Sequence, residues 1–228
     1  MKNFLLIGQS NMAGRGIIEE VPVISNPQIQ MYRDNQWQLA VEPLHLDKAT
    51  AGVGLAMSFA QEFLKKYPAE KVGLIPTAVG GTPLIRWMPS GDLYQNAVAI
   101  TKNAIGNQSL AGILWHQGEA ETDNLENVKV YEKNLTEMLT QIRRDLNSPK
   151  APIILGELGH FLSKNPALPY FTQINQALHQ VAQKLSLCSI ATAESLNDKG
   201  DILHFDSKSL RIFGLRYFEK FINIKMEK

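Results

Sequence analysis

The stretch Asn3-Phe-Leu-Leu-Ile-Gly-Gln-Ser-Asn-Met-Ala-Gly14 decides how this chain is read. A short apolar run, Asn3–Ile7, stops at Gly8 and opens into a polar loop with a serine near two glycines. It is far below the ~20 residues of a membrane helix. It also ends at Gly8-Gln9, before the ~7–15-residue core and small-residue cleavage site of a secretory leader could be completed. The run therefore reads as a buried strand and the chain as cytoplasmic.

Working outward, four more runs of the same kind lie at Lys71–Pro76, Ala111–Trp115, Pro152–Leu155 and Cys188–Ala193. Between them apolar residues recur at spacings of three and four, the mark of a helix with one buried stripe. These patterns cover Gly54–Tyr67, Asp92–Ile105, Val128–Leu146 and Pro169–Leu185, and Ser207–Ile222 closes the chain. Strands alternating with helices imply right-handed crossovers and a parallel sheet covered on both faces. The expected fold is α/β: a single domain over residues 1–228, a three-layer α/β/α sandwich with a five-stranded, flavodoxin-like parallel sheet. Pro27–Val41 breaks the alternation. Its two runs flank Asp34-Asn35 and read as a small hairpin inserted after the first strand.

Composition narrows the function classes. With 228 residues the chain can bury ~70% of its unfolded surface without staples, and 44% hydrophobic with 20% charged residues is an ordinary globular balance. The 23 basic and 22 acidic residues leave a net charge of +1, so nothing points to nucleic acid or an anionic membrane. The single Cys188 cannot form an internal disulfide or a thiolate zinc site.

In open α/β sheets ligands bind where the strands end, so the loops after the strands matter most. After the first strand stands Gly8-Gln9-Ser10-Asn11-Met12, which alone would be an ordinary helix cap. After the second comes Gly80-Gly81-Thr82, whose glycines allow close backbone approach to a ligand. No G-K-[ST] or G-x-G-x-x-G phosphate loop is present. After the third comes His116-Gln117-Gly118-Glu119, too polar for core. His116 and Glu119 are too few for a metal site. Before the last helix, Asp201-Ile-Leu-His204 sets a carboxylate within reach of an imidazole Nδ1–H, leaving Nε2 free as a base. Asp206 reads as the cap of that helix. Together these supply a nucleophile, oxyanion donors, and a base with its orienting carboxylate, the parts an acyl-enzyme hydrolase requires.

That ordered set resembles the SGNH (GDSL-like) hydrolase superfamily, in particular its sialate O-acetylesterase and acetylxylan-esterase-like branch, over residues 8 to 204. The resemblance implies hydrolysis of acetyl esters on carbohydrates without a metal or organic cofactor. Ser10 would be the nucleophile, His204 the base and Asp201 its orienter. The oxyanion hole would comprise the Ser10 N–H, a backbone N–H at Gly80 or Gly81, and the Gln117 amide. Gln117 stands where the wider superfamily carries Asn, a change typical of this branch. Gln9 and Glu119 would be supporting residues, Glu119 either backing His204 or bracing the Gln117 loop. Asn11, Arg15, Arg86, Trp87 and His116 are candidates for substrate contact, with loop packing the competing role for Arg86 and Trp87.

Competing functions are a lipase or thioesterase of the same superfamily, and a non-catalytic carbohydrate-binding protein. No long apolar flap suggests an acyl-chain tunnel, and a binder has no use for an aligned serine and Asp-x-x-His. The expected partner is a small or oligosaccharide acetyl ester, and the oligomeric state is not encoded legibly. His45 reads as a solvated loop residue, His179 as a surface residue, His160 as a loop histidine near the fourth strand, and Cys188 as a buried small apolar residue.

Overall fold

The computed structural model describes residues 1–226. Seven strands form one sheet: β1 (Lys2–Gly8), β2 (Ile29–Arg33), β3 (Gln36–Leu39), β4 (Val72–Pro76), β5 (Gly112–His116), β6 (Ile153–Gly156) and β7 (Cys188–Ala191). Their spatial order is β3-β2-β4-β1-β5-β6-β7, parallel throughout except between β2 and β3.

The α/β class and hairpin are as expected, but the sheet is larger than five strands. The hairpin extends the sheet, with Ile29, Gln30 and Met31 in register with Val72, Gly73 and Leu74. Without it the outer edge of β4 would present a row of unpaired backbone groups. Ile29 and Met31 also gain burial by docking there. Asp34 and Asn35, at φ 53° and 58°, form the two-residue turn that suits the strand twist.

Six α-helices accompany the sheet: α1 (Ser10–Ala13), α2 (Ala56–Lys66), α3 (Asp92–Ile105), α4 (Leu125–Asp145), α5 (Phe171–Lys184) and α6 (Ser207–Met226). The longest, α4, starts at Leu125 rather than Val128 because Asn124 caps it, its side chain accepting from the Glu126 N–H. Asp206 caps α6 in the same manner, accepting from the Ser209 N–H at 2.6 Å. Helices α2 and α6 pack together over one face of the sheet, while α3, α4 and α5 cover the other. On the α2/α6 side Phe4 meets the edges of Phe59, Phe63 and Phe221 at centroid separations of 5.0, 5.4 and 5.3 Å. Phe4, Leu5, Leu6 and Ile7 are wholly buried, each burial contributing roughly 1.5–3 kcal/mol. This explains why β1 reads as an uninterrupted apolar run.

From β1 the chain builds β2, β3 and β4 on one side and then crosses to β5 on the other. The carboxyl ends of β1 and β5 therefore border the crevice of a doubly wound sheet. Gly8 pairs with His116 across it. At φ +130° a Cβ on Gly8 would collide with the His116 carbonyl, so only glycine allows the two strands to finish side by side. At the opposite edge of the sheet, Met1, Lys2, Leu110, Pro152, Leu187 and Ile224 line a shallow cavity. Among the described residues no helix is long and apolar enough to cross a membrane.

Candidate active site

Ser10 begins α1 directly beyond β1. The strand hands over through Gln9, whose N–H donates to the His116 carbonyl at 2.8 Å and whose carbonyl accepts from Met12 and Ala13. As the first residue of the helix, Ser10 has an N–H with no intrahelical acceptor. Its Oγ lies 3.0 Å from His204 Nε2, and His204 Nδ1 lies 2.7 Å from Asp201 Oδ2. A hydroxyl, an imidazole and a carboxylate thus form one line although Ser10 and His204 are 194 positions apart.

The 198–205 loop is shaped to make this contact. Asp198 Oδ2 accepts from the N–H groups of Gly200 and Ile202, and Asp201 Oδ1 from those of Leu203 and His204. Burial pushes the Asp201 carboxyl upward, but these N–H groups and the imidazole outweigh it and hold the group below the ordinary carboxylate range. Asp201 is therefore ionised at neutral pH, and its Oδ2, which also lies 3.6 Å from Lys199 Nζ, is placed to fix the tautomer that leaves Nε2 facing Ser10.

The loop after β4 supplies backbone donors. Val79 N–H donates to the Gly8 carbonyl at 3.0 Å, fastening this loop to β1. Gly80 N–H is already used, donating to Asp47 Oδ2 at 2.7 Å. Gly81 stands at φ +73° with open space where a side chain would project.

Gln117 sits differently from the expectation that its amide enters the oxyanion hole. It is wholly buried. Its Nε2 donates to the Thr82 carbonyl at 3.1 Å and to Glu121 Oε2 at 2.5 Å, which uses both amide hydrogens. Tyr131 Oη lies 2.7 Å from the Gln117 carbonyl and 3.1 Å from Oε1. Gln117 thus braces the Gly81-Thr82 backbone from behind. Glu121 completes the brace by accepting from the Leu84 N–H at 2.5 Å, and burial lifts its carboxyl to about 7.

Four residues expected at the substrate surface are internal. Trp87 is fully buried, donating from Nε1 to Thr82 Oγ1 at 3.1 Å and meeting Trp115 edge-on at 5.8 Å, so its ring has no free face for a sugar. Arg15 is buried in a two-pronged ion pair with Asp47 at 2.6 and 3.2 Å. His116 has no exposed surface, because it points between β5 and α6 with Nδ1 3.3 Å from Tyr217 Oη. Asn11 is buried beneath the His204 loop. Arg86 alone of the group reaches solvent, and there it forms a two-pronged pair with Asp92 at 3.0 and 2.5 Å.

Of the remaining histidines, His45 departs most from expectation. It is buried rather than solvated, and burial lowers its pKa to about 4 against the opposing pull of Asp47 and the Ala13 backbone. His160 and His179 are half-exposed and flank Glu157 at 3.2 and 2.6 Å. Cys188 is only partly buried at the residue level, yet burial of its thiol lifts it to about 12. Among the described residues no group of three or more His, Cys, Asp or Glu is placed to hold a metal. Two contributors escaped the sequence reading. Glu121 could have been found from its place two residues after Glu119, whereas Asp47 carries no local signal at all.

With the geometry in place, comparison with known proteins is informative. A family model described as "Carbohydrate esterase, sialic acid-specific acetylesterase" matches residues 1–223. A probable carbohydrate esterase of Arabidopsis thaliana, At4g34215, is 29% identical over 96% of this chain and 90% of its own. Its crystal structure superposes with a TM-score of 0.88 at 27% identity, covering 97% of this chain and 98% of that one. NanS superposes over 100% of this chain and 98% of its own, with a TM-score of 0.81 at 17% identity. XAC1771, a carbohydrate acetylesterase from Xanthomonas citri, gives 0.77 at 18% identity over 100% of this chain and 57% of its own. These last two likenesses speak for the fold.

Proposed function

The chain belongs to the carbohydrate esterases of the sialic acid-specific acetylesterase family, and from that premise we propose that it releases acetate from sugar hydroxyls through an acetyl-enzyme on Ser10. The observation that carries this mechanism is the unbroken Ser10–His204–Asp201 line, at 3.0 and 2.7 Å. His204 Nε2 takes the hydroxyl proton as Ser10 Oγ attacks the acetyl carbonyl, and Asp201 stabilises the imidazolium that forms. The N–H groups of Ser10 and Gly81 receive the oxyanion. In this assignment Gln117 and Gly80 hold the hole's backbone instead of donating into it. The sugar alkoxide leaves with the proton from His204, and water repeats the sequence on the acetyl-serine.

A fluorophosphonate probe tests the nucleophile. Labelling is expected to abolish acetate release with the added mass on Ser10, and Ser10→Ala is expected to reduce p-nitrophenyl acetate hydrolysis to the small residual of a broken triad. Wild-type rates in Ser10→Ala would end this assignment.

The site also bears on the sugar. Arg15 is committed to Asp47, so the exposed Arg86 is the guanidinium to test for recognition of a carboxylated sugar. Arg86→Ala should leave rates on acetylated xylo-oligosaccharides unchanged. A selective loss on acetylated sialic acid would assign Arg86 to carboxylate recognition, and equal rates on both would assign it to its pairing with Asp92.

A further inference from the structure

We propose that Glu119 is a positioning residue that acts through Asn11 to hold the backbone on either side of His204. This inference rests on the hydrolytic reading of Ser10 and His204. Asn11 follows Ser10 in the same helical turn, and its amide brackets the base. Oδ1 accepts from the Phe205 N–H at 3.1 Å and Nδ2 donates to the Leu203 carbonyl at 3.2 Å. One side chain thereby ties the nucleophile's backbone to the residues immediately before and after His204.

Those two bonds require one orientation of the amide. Turned over, Nδ2 would face the Phe205 N–H and Oδ1 would face the Leu203 carbonyl, so both contacts would become repulsive. Glu119 selects the productive orientation because its Oε1 accepts the second Nδ2 hydrogen at 2.5 Å. An ionised carboxylate only accepts, so it excludes Oδ1 from that position. Burial pushes the Glu119 carboxyl upward, but His116 and Asn11 outweigh it and keep it below its ordinary range.

Glu119 is itself anchored to the sheet. Its Oε1 lies 3.3 Å from His116 Nε2, and His116 ends β5 with its ring against Phe205 and Phe213 at 5.7 and 5.5 Å. A mechanical path therefore runs from β5 through Glu119 and Asn11 to the loop carrying the base. Catalytic groups misplaced by about 1 Å can lose on the order of 100-fold in rate, so this path governs turnover without touching substrate.

The test is a double-mutant cycle on p-nitrophenyl acetate hydrolysis, with thermal unfolding recorded for each variant. Glu119→Ala should lower kcat about 10- to 100-fold with KM within about threefold of wild type. Asn11→Ala should lower it at least as much, and the double variant should be no slower than Asn11→Ala within about threefold, because the two act in series. Glu119→Gln, whose carbonyl can still accept from Asn11 but whose NH2 no longer excludes Oδ1, should fall between Glu119→Ala and wild type. It also keeps the cycle readable if the alanine variant does not fold. In the folded variants the acid limb of the pH profile should keep its midpoint while the plateau falls. Losses that multiply in the double variant, a glutamine variant as fast as wild type, or a shifted midpoint would each overturn the proposal. None of these outcomes depends on Ser10→Ala, which tests the hydrolytic reading separately.

Discussion

At the scale of single residues, the site separates groups that act from groups that hold. Gln117 illustrates the difference. A side chain donating directly to the oxyanion would cost about 10²–10³ in turnover when removed, with the fold intact. Gln117 instead satisfies the Thr82 carbonyl and the Glu121 carboxylate in a buried setting. Removing it should lower stability as well, by about 1–3 kcal/mol for each buried group left unpaired. Gln117→Ala is therefore expected to lose kcat and melting temperature together, measured by acetate release and calorimetry. An unchanged melting temperature with a 100-fold slower enzyme would return the amide to the oxyanion hole. Asp201 gives a second contrast. Its carboxyl titrates below the ordinary range, so it remains charged across pH 5–8, where histidines change charge. Activity should be lost in acid, because His204 accepts the Ser10 proton only in its neutral form. Asp201→Asn should depress the whole profile about 10²–10⁴-fold by favouring the wrong tautomer, and a loss confined to low pH would contradict the role given to Asp201.

At the scale of elements, β1, β4, β5 and β6 were legible because burial on both faces leaves uninterrupted apolar runs such as Phe4–Ile7, while the edge strand β7 is only partly buried. The docking of β2 on β4 was not legible, since a short strand's partner is decided by which sheet edge is open, a property of the assembled fold. The same limit applied to site residues. Ser10, Asp201 and His204 stand in recognisable local patterns, but Arg15, Trp87 and His116 carry equally suggestive chemistry and turned out to be internal framework. Sequence reveals a polar group beside a strand end, and only packing reveals which way it faces. The 3-10 turn Glu119–Glu121 makes this measurable. Glu121 titrates at about 7 against an ordinary 4.5, so between those values the folded state holds a proton the unfolded chain has released. Its contribution to stability is present in full below 4.5 and is lost as pH rises through about 7. The buried His45, lowered to about 4, contributes the opposite slope in both proteins, so the melting temperature of the wild type should fall relative to that of Glu121→Gln between pH 5 and pH 8 whatever the variant's absolute stability. Identical slopes would mean that the carboxyl is not held protonated in the fold.

At the scale of the whole molecule, Ser10 comes from the first strand–loop junction and His204 from the loop before the final helix. The pair exists only when α6 has docked over the sheet beside α2, carrying the 198–205 loop with it. Met1 and Ile224 approach each other at the opposite end of the strands, where they line one cavity. A circular permutant that joins the termini by a short flexible linker and opens the chain at Asp34-Asn35 should retain hydrolytic activity within about tenfold, because that turn is exposed and its strands lie on the sheet edge. An inactive but folded permutant would show that the hairpin's continuity shapes the site.

The cavity shared by Met1 and Ile224 also fixes the molecule's polarity. Met1 and Ile224 lie beneath the strands, while Ser10 lies at their tips. A fusion partner or an immobilising tag attached ahead of Met1 would hang from the underside, away from the face that carries Ser10.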